Sequence, residues 1–208
     1  MVQIAVFIDW QNAYHGAREA FGLRSLPNEY GNFSPLGVGR ELARRNGRGE
    51  AGQLVRVEIH RGLPDATRDR VGHGACRRQS SAWMAEAPEI VIPYLRPLRY
   101  PHDYPTSAAE EKGVDVQLAL NAVECLIDGR CEVAIIVSCD SDLVPAIQTA
   151  HRLKKTVACI ETASWSSPTY RRRMPRAPSG VFNNFLDEAV FRQVERCVNY
   201  AHKPTGGA

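Results

Sequence analysis

Lysine is scarce in this 208-residue chain, the cysteines never occur as a C-x-x-C pair, and no apolar run is long. Each shortage narrows what the protein can be. No stretch approaches the roughly 18 apolar residues that a membrane-crossing helix requires, so no membrane span or membrane partner is expected. The six cysteines (Cys76, Cys125, Cys131, Cys139, Cys159 and Cys197) are scattered, most of them in apolar stretches. They read as buried reduced thiols rather than a disulfide framework. His73 and Cys76 stand three apart, but no second pair with zinc-site spacing accompanies them. The opening "MVQIAVFIDW" has no basic start and no small-residue cleavage site, and Asp9 interrupts its apolar segment. It reads as a first strand, and the expected location is the cytoplasm.

Only four of the 26 basic residues are lysine, and the formal net charge is +3. The arginines are unevenly spread, concentrated in "RELARRNGRG", "ACRRQ" and above all "YRRRMPR", which holds Arg171, Arg172, Arg173 and Arg176. Such clustering suits an anionic partner such as nucleic acid, although any single cluster is equally compatible with a plain solvated surface.

Five segments read as strands. Gln3–Ile8, Val133–Val137 and Thr156–Ile160 are almost continuously apolar and rich in Val and Ile, the pattern of strands covered on both faces. Leu54–Ile59 and Glu89–Tyr94 are more mixed, as befits strands nearer an edge. Helices are expected over Asn12–Phe21, Pro35–Arg45 (with Ser34 as N-cap), Asp65–Ala87, Lys112–Ile127, Leu143–Leu153 and Asn184–Tyr200. Val71, Ala75, Ala82 and Met84 or Trp83 mark the expected inner face of the third helix. Val116, Leu120, Val123 and Ile127 mark that of the fourth. Alternation of this kind predicts a layered α/β fold with a mainly parallel sheet. Residues 1–165 form the expected main domain, and 166–208 an Arg/Pro-rich linker with a terminal helix and frayed tail.

Carboxylates gather where two of these strands end. Asp9 closes the first, and Asp140 and Asp142 follow the Val133–Val137 strand in "VSCDSDLVPAI". Open α/β sheets bind ligands beyond the carboxyl ends of their strands, where strand order reverses. If the two strands are neighbours there, the three acids converge, and their repulsion calls for protonation or a cation between them. Oxygen-only donors select a hard ion, Mg²⁺ or Mn²⁺, and such an ion beside a basic surface suits phosphodiester chemistry. Asp142 as a helix cap and Asp140 as a turn residue are the plainer alternatives. Asp115 falls in the first turn of its helix, where the dipole favours an acid in any case. Glu111, four residues earlier, is its substitute as a ligand. Trp10 reads as packing.

Three motifs, "VFIDWQNAY", "EKGVDVQLALNAV" and "SCDSDLVPAI" followed by "KKTVACI", resemble the NYN domain in its LabA-like (DUF88) branch, within the PIN-like nuclease superfamily. The resemblance runs from about residue 3 to residue 165. It implies a three-layer α/β/α fold with a five-stranded sheet of order 3-2-1-4-5. It also implies a metal-dependent endoribonuclease: Asp9, Asp115, Asp140 and Asp142 as ligands of Mg²⁺ or Mn²⁺, and Asn12 orienting Asp9 or a phosphate. The implied reaction hydrolyses RNA and leaves a 5′-phosphate, with a homodimer possible because PIN-like relatives often pair. Two positions depart from the family pattern. Cys139 stands where glycine is usual, and Asn121 where an acid is often found. A non-catalytic NYN module that binds RNA or a protein is the alternative.

Overall fold

Successive residues of the first strand leave it on opposite faces, and both faces are covered. Ile4, Val6 and Ile8 face one way, Ala5 and Phe7 the other, and all five are fully buried. The structure, a computed structural model, describes residues 1–153, 159–172 and 177–202. Its elements are β1 (Val2–Asp9), α1 (Trp10–Ala20), α2 (Pro35–Arg45), β2 (Gly52–Leu63), α3 (Arg70–Glu86), β3 (Val91–Pro97), α4 (Val114–Ile127), β4 (Val133–Val137), α5 (Val144–Leu153), β5 (Ile160–Trp165), β6 (Phe182–Leu186) and α6 (Glu188–Val194). The sheet has six strands in the order 3-2-1-4-5-6, and each neighbouring pair is parallel. β1 lies in the middle, with β2 and β4 on either side, so strand order reverses between β1 and β4.

Helices cover both faces. One core joins Ile4, Val6 and Ile8 to Ala13 and Ala17 of α1, Leu42 of α2, Trp83 of α3 and Phe191 of α6. The other joins Ala5 and Phe7 to Leu118 and Leu126 of α4 and Ile147 of α5. Each fully buried Ile, Leu or Phe contributes about 1.5–3 kcal/mol of transfer free energy. Trp10 is packing, as expected: it is buried, with its ring 4.7 Å from Phe33 and 4.4 Å from Trp83. Close approach between α2 and β2 depends on Gly39, where a Cβ would lie 2.7 Å from the Val57 side chain.

Several elements differ from expectation. Asn184 does not open a helix but lies in β6, a sixth strand that the expected five-stranded sheet lacks. "FNNFL" does not read as a strand because its polar residues bond across to its neighbour. The amide of Asn184 donates to Glu161 Oε2 at 2.8 Å, and Thr162 Oγ1 donates to Asn183 Oδ1 at 2.8 Å. The helix that follows is shorter than expected and starts at Glu188, capped by Asp187. The expected strand Thr156–Ile160 falls largely outside the described residues, and β5 begins at Ile160. α3 starts at Arg70 behind an Asp69 cap and buries Cys76, Gln79, Ser80 and Trp83, leaving Val71 and Met84 exposed. α4 starts at Val114 rather than Lys112 and buries Leu118, Ala122, Cys125 and Leu126. The stripe expected inside, Val116, Leu120 and Ile127, faces outward. Both misassigned helices are apolar on more than one side, so periodicity alone could not choose the inner face.

Asn121 is part of a buried polar cluster beneath α4. Its amide donates to Glu58 Oε2 at 2.7 Å and its oxygen accepts from Gln117 at 2.7 Å. Glu58 also meets the Arg56 guanidinium and, at 3.1 Å, His60 Nε2, whose ring stacks on Tyr94. Burial pushes the Glu58 carboxyl upward, but the bonds from His60, Asn121 and Arg56 outweigh it and leave the pKa lowered. An acid at 121 would therefore face a carboxylate across a buried contact. Asn121→Asp is expected to lose about 2–4 kcal/mol at pH 7. The loss shrinks as pH falls, because the crowded pair has a raised folded pKa and gains a proton. Urea unfolding at pH 7 and pH 5 checks this, and equal stability of the two proteins at pH 7 would refute it.

Candidate functional site

Asp9 caps the helix it precedes. Its Oδ1 accepts the Asn12 backbone N–H at 3.1 Å, so the plain role of an N-cap is fulfilled. A cap does not require burial, however, and Asp9 is only 9% exposed. Its second oxygen, Oδ2, accepts the Ser138 hydroxyl at 3.0 Å, and that same hydroxyl accepts the Asp140 N–H at 3.0 Å. Asn12 strengthens the join, its side-chain oxygen accepting the Cys139 N–H at 2.9 Å. The ends of β1 and β4 are thus tied at the point where strand order reverses.

Burial raises the Asp9 pKa from 3.8 to about 6. The bonds from Asn12 and Ser138 oppose that rise, and the charges of Glu111 and Asp140 add to it. Glu111 is raised in the same direction, chiefly by burial, with Asp115 adding to the rise and Arg61 and His15 opposing it. Glu111 precedes α4, whereas Asp115 lies in its first turn. The Oε1 of Glu111 is anchored by the Gly62 N–H at 2.6 Å. Gly62 permits that contact, since a Cβ there would stand 2.9 Å from Glu111 Oε1 and still closer to Leu98.

A cleft of about 280 Å³ opens over these groups, lined among others by Asp9, Asn12, His15, Glu111, Asp140 and Arg172. The structure therefore brings together Asp9, Asn12, Asp140 and Arg172 from the expected residues, with Glu111, the substitute named for Asp115, in that residue's place. Asp115 and Asp142 are outside the lining. Asp115 acts through its charge on Glu111, and the exposed Asp142 donates its N–H to Asp140 Oδ1 at 3.0 Å, so Asp140, not Asp142, is the cap. Arg171 lies over the Phe185 ring at 4.2 Å, in a separate groove near Arg44 and Arg45. Arg173 and Arg176 lie outside the described residues. Cys139 lines the cleft, and burial pushes its thiol pKa up. Asn121 is at Glu58, away from this lining.

Ser138 and Arg61 were missed from sequence. Ser138 had a signal, since it follows β4 directly, as Asp9 ends β1. Arg61 was hidden because β2 runs four residues beyond Ile59, which places it unexpectedly at a strand end.

Asp9, Glu111 and Asp140 offer oxygen donors alone, one buried and two partly exposed, and this chemistry fits a hard divalent ion. Among the described residues, no three His, Cys, Asp or Glu side chains already stand as a ligating group. No described helix is long and apolar enough to cross a membrane.

A parallel sheet between helical layers, with acids tied together at its switch point, defines an α/β domain of PIN-like architecture. The chain belongs to the NYN domain family, which it matches over residues 3–173, and this places it in the PIN-like nuclease superfamily. Among solved structures it is similar to a protein of unknown function, VPA0982, from Vibrio parahaemolyticus RIMD 2210633. That likeness has a TM-score of 0.51 and 18% identity, and covers 90% of this chain and 93% of the other. It speaks for the fold alone. No curated protein matches the chain.

The raised Asp9 pKa has a consequence for stability. Between pH 4 and 6 the folded protein keeps a proton that the unfolded chain releases, so stability falls as pH rises through this window. Above pH 7 the loss is on the order of 2–3 kcal/mol. Asn at position 9 keeps an acceptor for the Asn12 N–H and carries no charge. Asp9→Asn is expected to match the wild type near pH 4 and to exceed its stability by roughly that amount at pH 7.5. Urea unfolding across this range is the measurement, and parallel pH profiles for the two proteins would count against a buried, raised Asp9.

Proposed function

We propose that the protein is a metal-dependent endoribonuclease whose site is the cleft over Asp9, Glu111 and Asp140. One observation carries the reading: a buried carboxylate with a pKa of about 6, in the field of two further acids, at the switch point of an NYN fold. Mg²⁺ or Mn²⁺ would be held by Asp9, Glu111 and Asp140; when bound, it supplies an activated water and stabilises the leaving oxygen of a phosphodiester. Asp115, and Asp142 beyond the cap, are the further acids of the proposed set. Ser138 and Asn12 keep the Asp9 and Asp140 backbones in register, so the acids are positioned before substrate arrives. Arg172 and His15 on the cleft wall suit contact with the phosphate backbone, and Arg171, Arg173 and Arg176 are the further arginines of the proposed RNA-binding set. RNA as the substrate, a cytoplasmic location, the LabA-like branch and a homodimer belong to the same proposal. The outward apolar stripe on α4 offers pairing a surface.

Neutral Asp9 is a poorer cation ligand than its carboxylate, so activity is expected to fall as pH drops below about 6. The direct test is cleavage of labelled RNA with Mg²⁺ or Mn²⁺ by the wild type and by Asp140→Asn. The variant is expected to lose at least about 10- to 100-fold in rate. Equal cleavage by both proteins, or none by the wild type across metals and substrates, would sink the nuclease reading. Retained RNA binding without cleavage would assign a non-catalytic module instead.

A further inference from the structure

Arg61 leaves the end of β2 on the face covered by α1 and α3, and no carboxylate among the described residues forms an ion pair with it. Its guanidinium is 5.9 Å from the ring centroids of both Trp10 and Trp83, and Nη1 donates to Gln79 Oε1. Its Nε is buried and has no hydrogen-bond partner among the described residues. Gln79 is held in turn: its amide donates to Asn32 Oδ1 at 2.9 Å, and the Asn32 amide donates to the Val198 carbonyl at 3.1 Å. The arginine is thus fixed in place on an aromatic shelf by neutral groups. Glu111 acts on it only through its charge, and a guanidinium withheld from water with neither a bonded carboxylate nor a full set of acceptors costs stability. Packing alone would be served by an uncharged side chain.

Arg61 lines a second cleft, of about 520 Å³, with Trp10, Tyr14, Gln79 and Tyr200. That volume is in the range of small-ligand sites. The one carboxylate in its lining, Glu29, is not bonded to Arg61. Gln11 and His15 line both this cleft and the carboxylate cleft, so the two adjoin across these side chains. A group entering the second cleft would meet a fixed cationic fork beside the half-buried ring of Tyr14. This chemistry matches a phosphate flanked by a base that can stack.

We propose that the Arg61 cleft binds a phosphodiester of the nucleic-acid strand that continues from the carboxylate cleft, so that Arg61 sets where along the strand the acids act. The inference rests on the nucleic-acid reading of the neighbouring site. Glu111 of the carboxylate cleft is anchored to Gly62, the residue after Arg61.

Binding of a labelled RNA oligomer, measured by anisotropy in EDTA over a range of salt, tests this without any cleavage. Arg61→Gln is expected to weaken binding by about 10-fold or more and to flatten the salt slope by about one, the signature of one lost phosphate contact. Its thermal midpoint is expected to equal or exceed that of the wild type, which a purely structural arginine would not allow. Unchanged affinity and slope in Arg61→Gln would overturn the proposal. So would stabilisation of the wild type by inorganic phosphate or adenosine monophosphate with an RNA affinity indifferent to Arg61, since the site would then serve free phosphate. Loss of binding to an acidic peptide but not to RNA would also overturn it. Should Arg61→Gln fail to fold, the wild type decides: the Arg61 Nε–H resonance is expected to shift on adding RNA, and no shift refutes the contact. Arg61-dependent binding by a protein that cleaves nothing upholds this inference and removes the nuclease reading. Cleavage without Arg61-dependent binding does the reverse.

Discussion

A single hydroxyl, that of Ser138, donates to the Asp9 carboxylate and accepts the Asp140 N–H, and the geometry of the candidate site depends on that link. β1 and β4 are bonded neighbours through Val137, but sheet pairing ends before the acids begin. Beyond it the two chains would be free to diverge, because like charges at their tips repel. Ser138 and Asn12 replace the missing ladder with side-chain bonds. They hold acids together that electrostatics alone would separate. The raised Asp9 pKa expresses the same conflict as a proton equilibrium.

The opposite treatment of charge is found one strand away. Glu58 is buried as deeply as Asp9, yet its pKa is lowered, because Arg56, His60 and Asn121 all donate to it. A saturated carboxylate of this kind is a structural element, with little capacity left for a ligand. Asp9 has only two donors and two acidic neighbours, so capacity for a cation remains. Arg61 is the complementary case, a buried cation without a bonded acid. Two groups left short of partners, of opposite sign and in adjoining clefts, suit a substrate that carries negative charge and a cation that accompanies it.

Much of this was legible in the sequence. Val- and Ile-rich runs flanked by turns can be little other than strands buried on both faces, and the Ser34-Pro35 pair marks a helix start on local chemistry alone. Asp9, Asp140 and their place at strand ends followed from the same pattern, as did a mainly parallel sheet, while the strand order around β1 came with the family resemblance. The errors also have physical causes. β6 was unreadable because Asn183 and Asn184 are satisfied by Thr162 and Glu161, some twenty residues away in the chain. The inner face of α4 was misjudged because Val116, Leu120 and Ile127 are as apolar as the residues it buries. The role of Asn121 depends on Glu58, whose proximity no local pattern encodes.

By itself, then, the sequence determined most of the strands and helices around β1, that the acids fall at strand ends, and the family to which those motifs belong. These are properties of near neighbours in the chain, governed by side-chain period, capping and turn chemistry. Tertiary structure alone decided that Glu111 joins Asp9 and Asp140 while Asp115 acts from outside the cleft, and that Arg61 stands beside them without a bonded acid. Each of those outcomes turns on a contact between residues far apart in sequence, where a single hydrogen bond or the lack of a Cβ, as at Gly62, selects which carboxylate enters the cleft.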